Sequence, residues 1–558
     1  MTKKWLPFYE TGLQAQLEYP SLTLGQVLGE TATKYPKHSA MIYQGRRWNY
    51  TELNELVNQM CHLLMGLGVT KGDRIGIQLP NCPQFVIACY AACRCGAIGV
   101  TINPHFTKDD LAYIIRDSGL TTLVTCNDLL PVLAKVDLTG IKIITTDTRT
   151  PFDASQDYQA PPQVIRLERE LFQQPKEDPV IPVCPDDSAF LQYTGGTTGI
   201  YKGAILSHRN LVTNSAQVRH FFKNVYEDGA GRFLCVIPLF HIYGMTTSMH
   251  MPILTGSEMQ LLPRFDINEL MITIDHYKPN IFMGVPAMYG AIALREGNNR
   301  YDLHSIKACV SGSAPLPQTI AEKFEAITDG KLREGYGLSE TSPVVAINPI
   351  YGQAKIGSVG VPLPDTEIRI VDPVTGQDLT DTGEVGEIIV KGPQVMQGYW
   401  NRPEETAAVL RDGWLHTGDL GWMDADGYTY ITDRLKDMII TAGEKVYPRE
   451  IEELLYTHPA VKEVAVIGVP HPLRGEVPQA FVSLKETAAA SEKELKQFCS
   501  KHLSKFKVPQ KIELVDALPR STVGKVLRRL LQEKVRQGSA VPLSEKVSST
   551  GALSGSNS

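Results

Sequence analysis

Residues 193–203 read Tyr193-Thr-Gly-Gly-Thr-Thr-Gly-Ile-Tyr-Lys-Gly203. The run AFLQ at 189–192 before them has the look of a strand, and Ser-His-Arg-Asn-Leu after them opens a helix. Glycines let a backbone fold back with its N–H groups turned inward. Thr194, Thr197 and Thr198 add hydroxyl donors, and Lys202 supplies positive charge, a set of parts that suits a polyphosphate. The run fails the pattern G-x-x-x-x-G-K-S/T, because Tyr201 precedes the lysine and Gly203 follows it, so a Walker-type NTPase is disfavoured. The bland alternative is a Gly/Thr linker, but such linkers seldom carry a lysine beside so many hydroxyls.

Working outward, the chain before this loop alternates. Leu53, Leu56, Val57, Met60, Leu63, Leu64 and Leu67 recur at helical spacing, with Thr51 expected as the N-cap. A strand at 74–79, a Cys- and Ala-rich helix from Pro83, a strand at 97–101, a helix opened by Thr107 and a strand at 121–125 follow. Further strands are expected at 233–237, 281–283 and 308–310. Strands alternating with helices imply parallel sheets wrapped by helices, with ligands beyond the carboxyl ends of the strands. From about 358 to 432 helices vanish and short runs such as EIRIV, EIIV and YTYIT suggest a small antiparallel barrel. The remainder restarts as helix and strand, with Pro448 suited to a first helical turn, and ends in a Ser/Gly tail expected to be disordered.

Composition limits the partners. Among 558 residues, 55 Lys and Arg stand against 61 Asp and Glu, a net charge of −6, so no basic field for nucleic acid is present. Any polyanion must be handled locally. With 43% hydrophobic and 21% charged residues, the usage is that of a soluble globular protein. The 10 cysteines form no pair of CxxC elements and read as buried hydrophobes in a reducing compartment. No signal peptide or transmembrane span is expected, which points to the cytoplasm and leaves peripheral membrane contact open.

Four further motifs accompany the phosphate loop. In GYGLSETSP (335–343), the glycines permit close backbone approach, Tyr336 offers a flat face to a purine, Glu340 is a hard oxygen ligand suited to Mg²⁺, and Thr341 has a hydroxyl for a phosphate. The others are HTGD (416–419), DRLKDMIITAGEKVYPREIE (433–452) and PRSTVGKVLRR (519–529). With the loop, in this order and spacing, they resemble the acyl-adenylate-forming (ANL) superfamily of acyl-CoA synthetases, carrier-protein adenylation domains and beetle luciferases. The resemblance spans nearly the whole chain. Its texture is most similar to bacterial long-chain fatty acyl-CoA synthetases, which likewise read VIPLFHIYG, SGSAPLP and KGPQVMQGYWNRPEET.

The resemblance implies an α/β fold. A large N-terminal domain (1–433) comprises two parallel-sheet α/β subdomains and a small β-barrel, a hinge follows at 434–436, and a smaller mobile α+β domain occupies 437–540 before the tail at 541–558. ATP or AMP would be bound by Thr194, Gly195, Gly196, Thr197, Thr198, Gly199 and Lys202 of the loop. Gly312, Ser313, Ala314, Pro315, Glu334, Gly335, Tyr336, Gly337 and Thr341 would hold the adenine side, with Asp419, Ile431 and Arg434 at the ribose. Glu340 and Thr194 would hold Mg²⁺, His241 would stand near the acyl carboxylate, Lys436 would be the hinge residue, and Gly443 with Glu444 would border the CoA tunnel. Tyr201, where relatives usually place Pro, is expected to leave the loop less rigid.

Lys525 is the residue implied for adenylation. A carboxylate attacking the α-phosphorus brings two anions together, and a movable ammonium neutralises the developing charge. Residues 501–537 hold ten Lys or Arg against three Asp or Glu, so a lone lysine there reads as a solvated charge until the LPRSTVGK match assigns it. The implied reaction joins a fatty acid to CoA through acyl-AMP, with ATP, Mg²⁺ and CoA required. Medium-chain or aryl acids, and loading of a carrier protein, are the alternatives, and family members are often homodimers.

Overall fold

The computed structural model describes residues 3–152, 163–195, 201–486, 488–520 and 525–536. Residues 196–200, with Gly196, Thr197, Thr198 and Gly199, lie outside them, as do Gly524 and residues 541–558.

Among the described residues, eight strands form one sheet in the spatial order Gly398–Tyr399, Tyr201–Ser207, Ser188–Gly195, Ile98–Thr101, Arg74–Gln78, Thr122–Cys126, Lys142–Thr146, Val164–Arg166. The last six run parallel. The helix Pro83–Arg94 that connects two of them is buried at every position, which explains its run of Cys and Ala without an amphipathic stripe. The helix Lys108–Ser118 starts on a capping box between Thr107 and Asp110 and ends on Gly119 in the left-handed region. Thr107 is the cap that the sequence indicates.

A nine-stranded sheet follows the same logic. Its order is Val361–Pro362, Val344–Ile347, Lys331–Gly337, Ala308–Ser311, Ile281–Gly284, Arg232–Cys235, Glu258–Leu261, Ser39–Tyr43, Arg46–Asn49. From Lys331–Gly337 to Ser39–Tyr43 the strands are parallel. The strands expected at 233–237, 281–283 and 308–310 are all present, within two residues of their expected ends.

Three local expectations are corrected. The helix Tyr50–Gly66 is capped by Asn49, whose side chain accepts from Glu52 N–H while Glu52 reaches back to Asn49 N–H; Thr51 lies inside the helix, and the reciprocal Asn–Glu box decides the start. The strand expected to end at Gln192 runs on to Gly195 and pairs with Tyr201–Ser207 as an antiparallel hairpin, Thr194 opposite Lys202 and Gly195 opposite Tyr201. Lys202 therefore sits on a strand, and the helix His208–Phe221 begins only after its own Ser207–Asn210 capping box. The stretch 358–432 is not free of helix. Beside the five-stranded sheet of Glu367–Val371, Gly386–Lys391, Leu410–Arg411, Trp414–Met423 and Thr429–Arg434, it contains Pro403–Val409, with Pro at its first turn and Glu404 and Glu405 beside it, a composition that favours a helix N-terminus.

The chain divides into two compact units, one of Met1–Ile368, Ile389–His416 and Ala425–Thr429, the other of Arg369–Ile388, Thr417–Asp424 and Tyr430–Ser558. In the second unit Val461–His471 and Gly475–Leu484 form a long antiparallel pair, flanked by Ile439–Thr441, Glu444–Val446 and Lys511–Leu514. Period-two alternation buries both faces. Val464 and Val466 join Ile451, Leu455, Leu495 and Cys499 of the helices Pro448–Tyr456 and Glu492–His502. Ala465 and Ile467 join Leu531 of the helix Arg528–Arg536. Pro448 stands at the first helical turn, as the sequence indicates. No helix among the described residues is long and apolar enough to cross a membrane.

Candidate active site

Alternation along Ser188–Gly195 puts Leu191 and Tyr193 into the apolar core beneath the hairpin and Gln192 and Thr194 on the opposite face. Gln192 Nε2 donates to Phe240 O at 3.2 Å, so the hairpin is tied to the segment carrying His241. Tyr201 packs its ring 5.1 Å from Phe106 and 6.2 Å from Tyr113, and its carbonyl accepts from the Tyr113 hydroxyl at 2.9 Å. Tyr201 is thus an aromatic anchor on the returning strand.

The segment 396–405 lies along the hairpin as an edge strap. Gly398 pairs with Ile205 and Tyr399 with Ala204, and Trp400 N–H donates to Gly203 O at 2.8 Å. Lys202 Nζ is 2.6 Å from Glu405 Oε2 and 5.4 Å from the centroid of the Tyr399 ring. The Tyr399 hydroxyl donates to Glu340 Oε1 at 2.7 Å. Arg402 donates to Asp117 Oδ1 at 2.9 Å, and Asp117 Oδ2 accepts from the Tyr193 hydroxyl at 2.7 Å. Tyr399, Arg402, Glu405 and Asp117 were not singled out from the sequence; the run at 391–406 was a signal of resemblance, with no role attached to its side chains.

Glu340 lies in the turn Ser339–Thr341, which packs against Tyr201–Ser207. Thr341 is fully buried, and its hydroxyl is engaged with the carbonyls of Leu338 and Pro343. Gly337 is forced by crowding, since a Cβ there would stand 2.1 Å from Pro343 O. Among the described residues no cluster of three or more His, Cys, Asp or Glu can hold a metal. A cation at Glu340 would take that carboxylate and otherwise water or phosphate oxygens, which is the habit of Mg²⁺.

The strand carrying Gly335 and half-buried Tyr336 faces the loop 312–315. Glu334 pairs with Ser311, and its Oε1 accepts from Leu316 N–H at 3.0 Å, pinning the end of that loop. Ser313 has φ 70°, and Ser313, Ala314 and Pro315 are exposed while Gly312 is buried against the Tyr243 ring. His241 caps the helix Ile242–Met245, its Nδ1 accepting from Tyr243 N–H at 3.2 Å.

In the second unit, Asp419 is buried and its Oδ1 lies 3.0 Å from Arg434 Nε. Ile431 O accepts from Arg449 at 2.6 Å, and Asp433 accepts from the N–H groups of Arg434 and Arg449 at 2.8 and 2.9 Å. Burial pushes the Asp433 carboxyl up. Lys436 is exposed next to these residues. Ala442 and Gly443, with φ 53° and 89°, form a two-residue turn between Thr441 and Glu444, and Gly443 and Glu444 are exposed at its tip.

Lys525 stands next to the bridge between Arg520 and Val526, and Leu527 N–H donates to Pro519 O at 2.8 Å. The surrounding chain presses its ammonium down to about 8, helped by Arg434 and Lys436 and opposed by Asp419 and Asp437. Lys525 is therefore within electrostatic reach of the aspartate and arginine expected at a ribose.

A model of the AMP-binding enzyme family matches residues 28–400, and one of its C-terminal domain matches 450–525. The chain belongs to the AMP-binding enzymes. It is 42% identical over 555 residues to the long-chain-fatty-acid–CoA ligase of Bacillus subtilis, covering 95% of this chain and 98% of that one. It is 35% identical to the enzyme of that name from Salmonella typhimurium, covering 96% and 99%. Among solved structures it is similar to ATP-bound MatB from Rhodopseudomonas palustris, with a TM-score of 0.83, 30% identity and 92% and 99% of the two chains covered. An AMP-binding enzyme of this architecture has two parallel-sheet regions and a smaller C-terminal part, as the sequence implies.

Proposed function

We propose that the protein is an AMP-forming fatty acid–CoA ligase, acting on long-chain acids. The observation that carries this reading is full-length similarity to ligases named for that substrate, joined to the presence in the sequence of the motif residues expected to meet phosphate, metal and ribose. The fatty carboxylate attacks the α-phosphorus of ATP, acyl-AMP forms, and pyrophosphate leaves. CoA thiol then attacks the acyl carbonyl, the thioester forms, and AMP leaves.

Positioning and electrostatics supply the catalysis, and no protein nucleophile takes part. Thr194, Thr197, Thr198 and Lys202 hold phosphate oxygens; Tyr336 and the loop 312–315 flank adenine; Asp419 and Arg434 hold the ribose. Glu340 and Thr194 would hold Mg²⁺, which would supply positive charge against that of the phosphates. Lys525 bears on the transferring centre in the first step, Gly443 and Glu444 border the thiol path in the second, and the smaller domain turns about Lys436 between them. Ten free cysteines, nine of them buried, support a reducing, cytoplasmic setting.

The test is AMP formation from ATP across acids of graded length and an aryl acid, with and without CoA. Palmitate should support it best and CoA should be required. Preference for an aryl or short acid would reassign the substrate, and indifference to CoA would favour carrier loading.

A further inference from the structure

The charges expected to meet ATP are already occupied. Lys202 is held by Glu405 at 2.6 Å, and Glu340 by the Tyr399 hydroxyl at 2.7 Å, both partners coming from one short strap. Glu405 is fixed in turn. It lies in the first turn of Pro403–Val409, Arg402 Nε stands 3.8 Å from its other oxygen, and Arg402 is itself anchored on Asp117. The hairpin strand, the strap and the helix start thus hold one ammonium and one carboxylate together without any ligand.

We propose that Glu405 is a positioning residue that stands in for the triphosphate, holding Lys202 between turnovers and competing with ATP and pyrophosphate for it. The inference rests on the adenylate-forming reading above. A phosphate oxygen reaching Lys202 must displace the Glu405 carboxylate, whose charge, no longer paired, then repels the bound anion. After the α-phosphorus has been attacked, the same carboxylate recaptures Lys202 and loosens pyrophosphate. The Lys202 side chain is 25% exposed and that of Glu405 40%, so the exchange is between partly hydrated groups. Its size is that of an exposed ion pair, a few-fold in affinity.

The experiment compares Glu405→Gln with Glu404→Gln, which removes the same charge from the same helical turn at an exposed position. Equilibrium dissociation constants for ATP, pyrophosphate and AMP are measured on the full chain. Glu405→Gln should tighten ATP and pyrophosphate by about two- to fivefold each and leave AMP, which lacks the β- and γ-phosphates, unchanged. Glu404→Gln should change none of the three. Glu405→Asp, which keeps the charge and withdraws it by one methylene, provides the same comparison should the glutamine variant fold poorly, with a smaller tightening expected. Equal or weaker ATP binding in folded Glu405 variants, or an identical effect from Glu404→Gln, would overturn the inference and leave the functional reading intact. A wild-type chain that binds no ATP would overturn both.

Discussion

Lys525 joins the sequence and the chemistry at a single residue. Its ammonium is lowered to about 8, by desolvation first and then by Arg434 and Lys436, and only the charged form can neutralise oxygens at the transferring centre. In the free enzyme this form is lost as pH rises through about 8, so kcat/KM for adenylation should fall about tenfold per pH unit above it. Lys525→Arg, whose guanidinium stays charged throughout, should lose that alkaline limb whatever its absolute rate. A wild-type profile flat to about pH 10 would contradict the assignment. The motif identified Lys525 because loop-shaping Pro519 and Gly524 surround it in sequence. Glu405 and Tyr399 escaped because nothing local to 399–405 announces a pairing with Lys202 or Glu340; those contacts exist only once the strap is laid along the hairpin.

Two glycines at the level of elements separate steric from torsional demands. Gly337 is needed because a Cβ would stand 2.1 Å from a backbone oxygen, whereas Gly443 has open space around it and a φ of 89°. Gly337→Ala should lower the unfolding free energy by at least about 2 kcal/mol, because backbone must move. Gly443→Ala should lower it by about 1 kcal/mol, the strain of a left-handed alanine, as read from denaturant midpoints. Equal effects would contradict the distinction. Elements whose signals are local were legible: the helix capped by Thr107, the buried helix from Pro83 and the start at Pro448 stand where the sequence puts them. The phosphate hairpin was not, because Gly and Thr density hides the second strand, of which only the apolar run AIL before Ser207 gives a sign. The helix Pro403–Val409 falls in the stretch expected to lack helices, although Pro and two glutamates stand at its start.

Over the whole molecule, chain order and compact units do not coincide. Thr194, Lys202, Glu340 and the adenine-side residues belong to one unit, while Asp419, Arg434, Lys436, Gly443 and Lys525 belong to the other. Composition foretold a large globular protein without a nucleic-acid field, and strand–helix alternation its parallel sheets, but the return of Ser39–Tyr43 to the second sheet, parallel to Glu258–Leu261, joins residues too distant in the chain for periodicity to relate. A division of labour between half-reactions follows if Lys525 serves only the first. The most direct measurement is therefore the two half-reactions of Lys525→Ala, ATP–pyrophosphate exchange with a fatty acid and thioester formation from supplied acyl-AMP and CoA. The account predicts that exchange falls by at least about 10²-fold while thioester formation stays near the wild-type rate. Exchange at the wild-type rate, or equal loss of both steps, would contradict it.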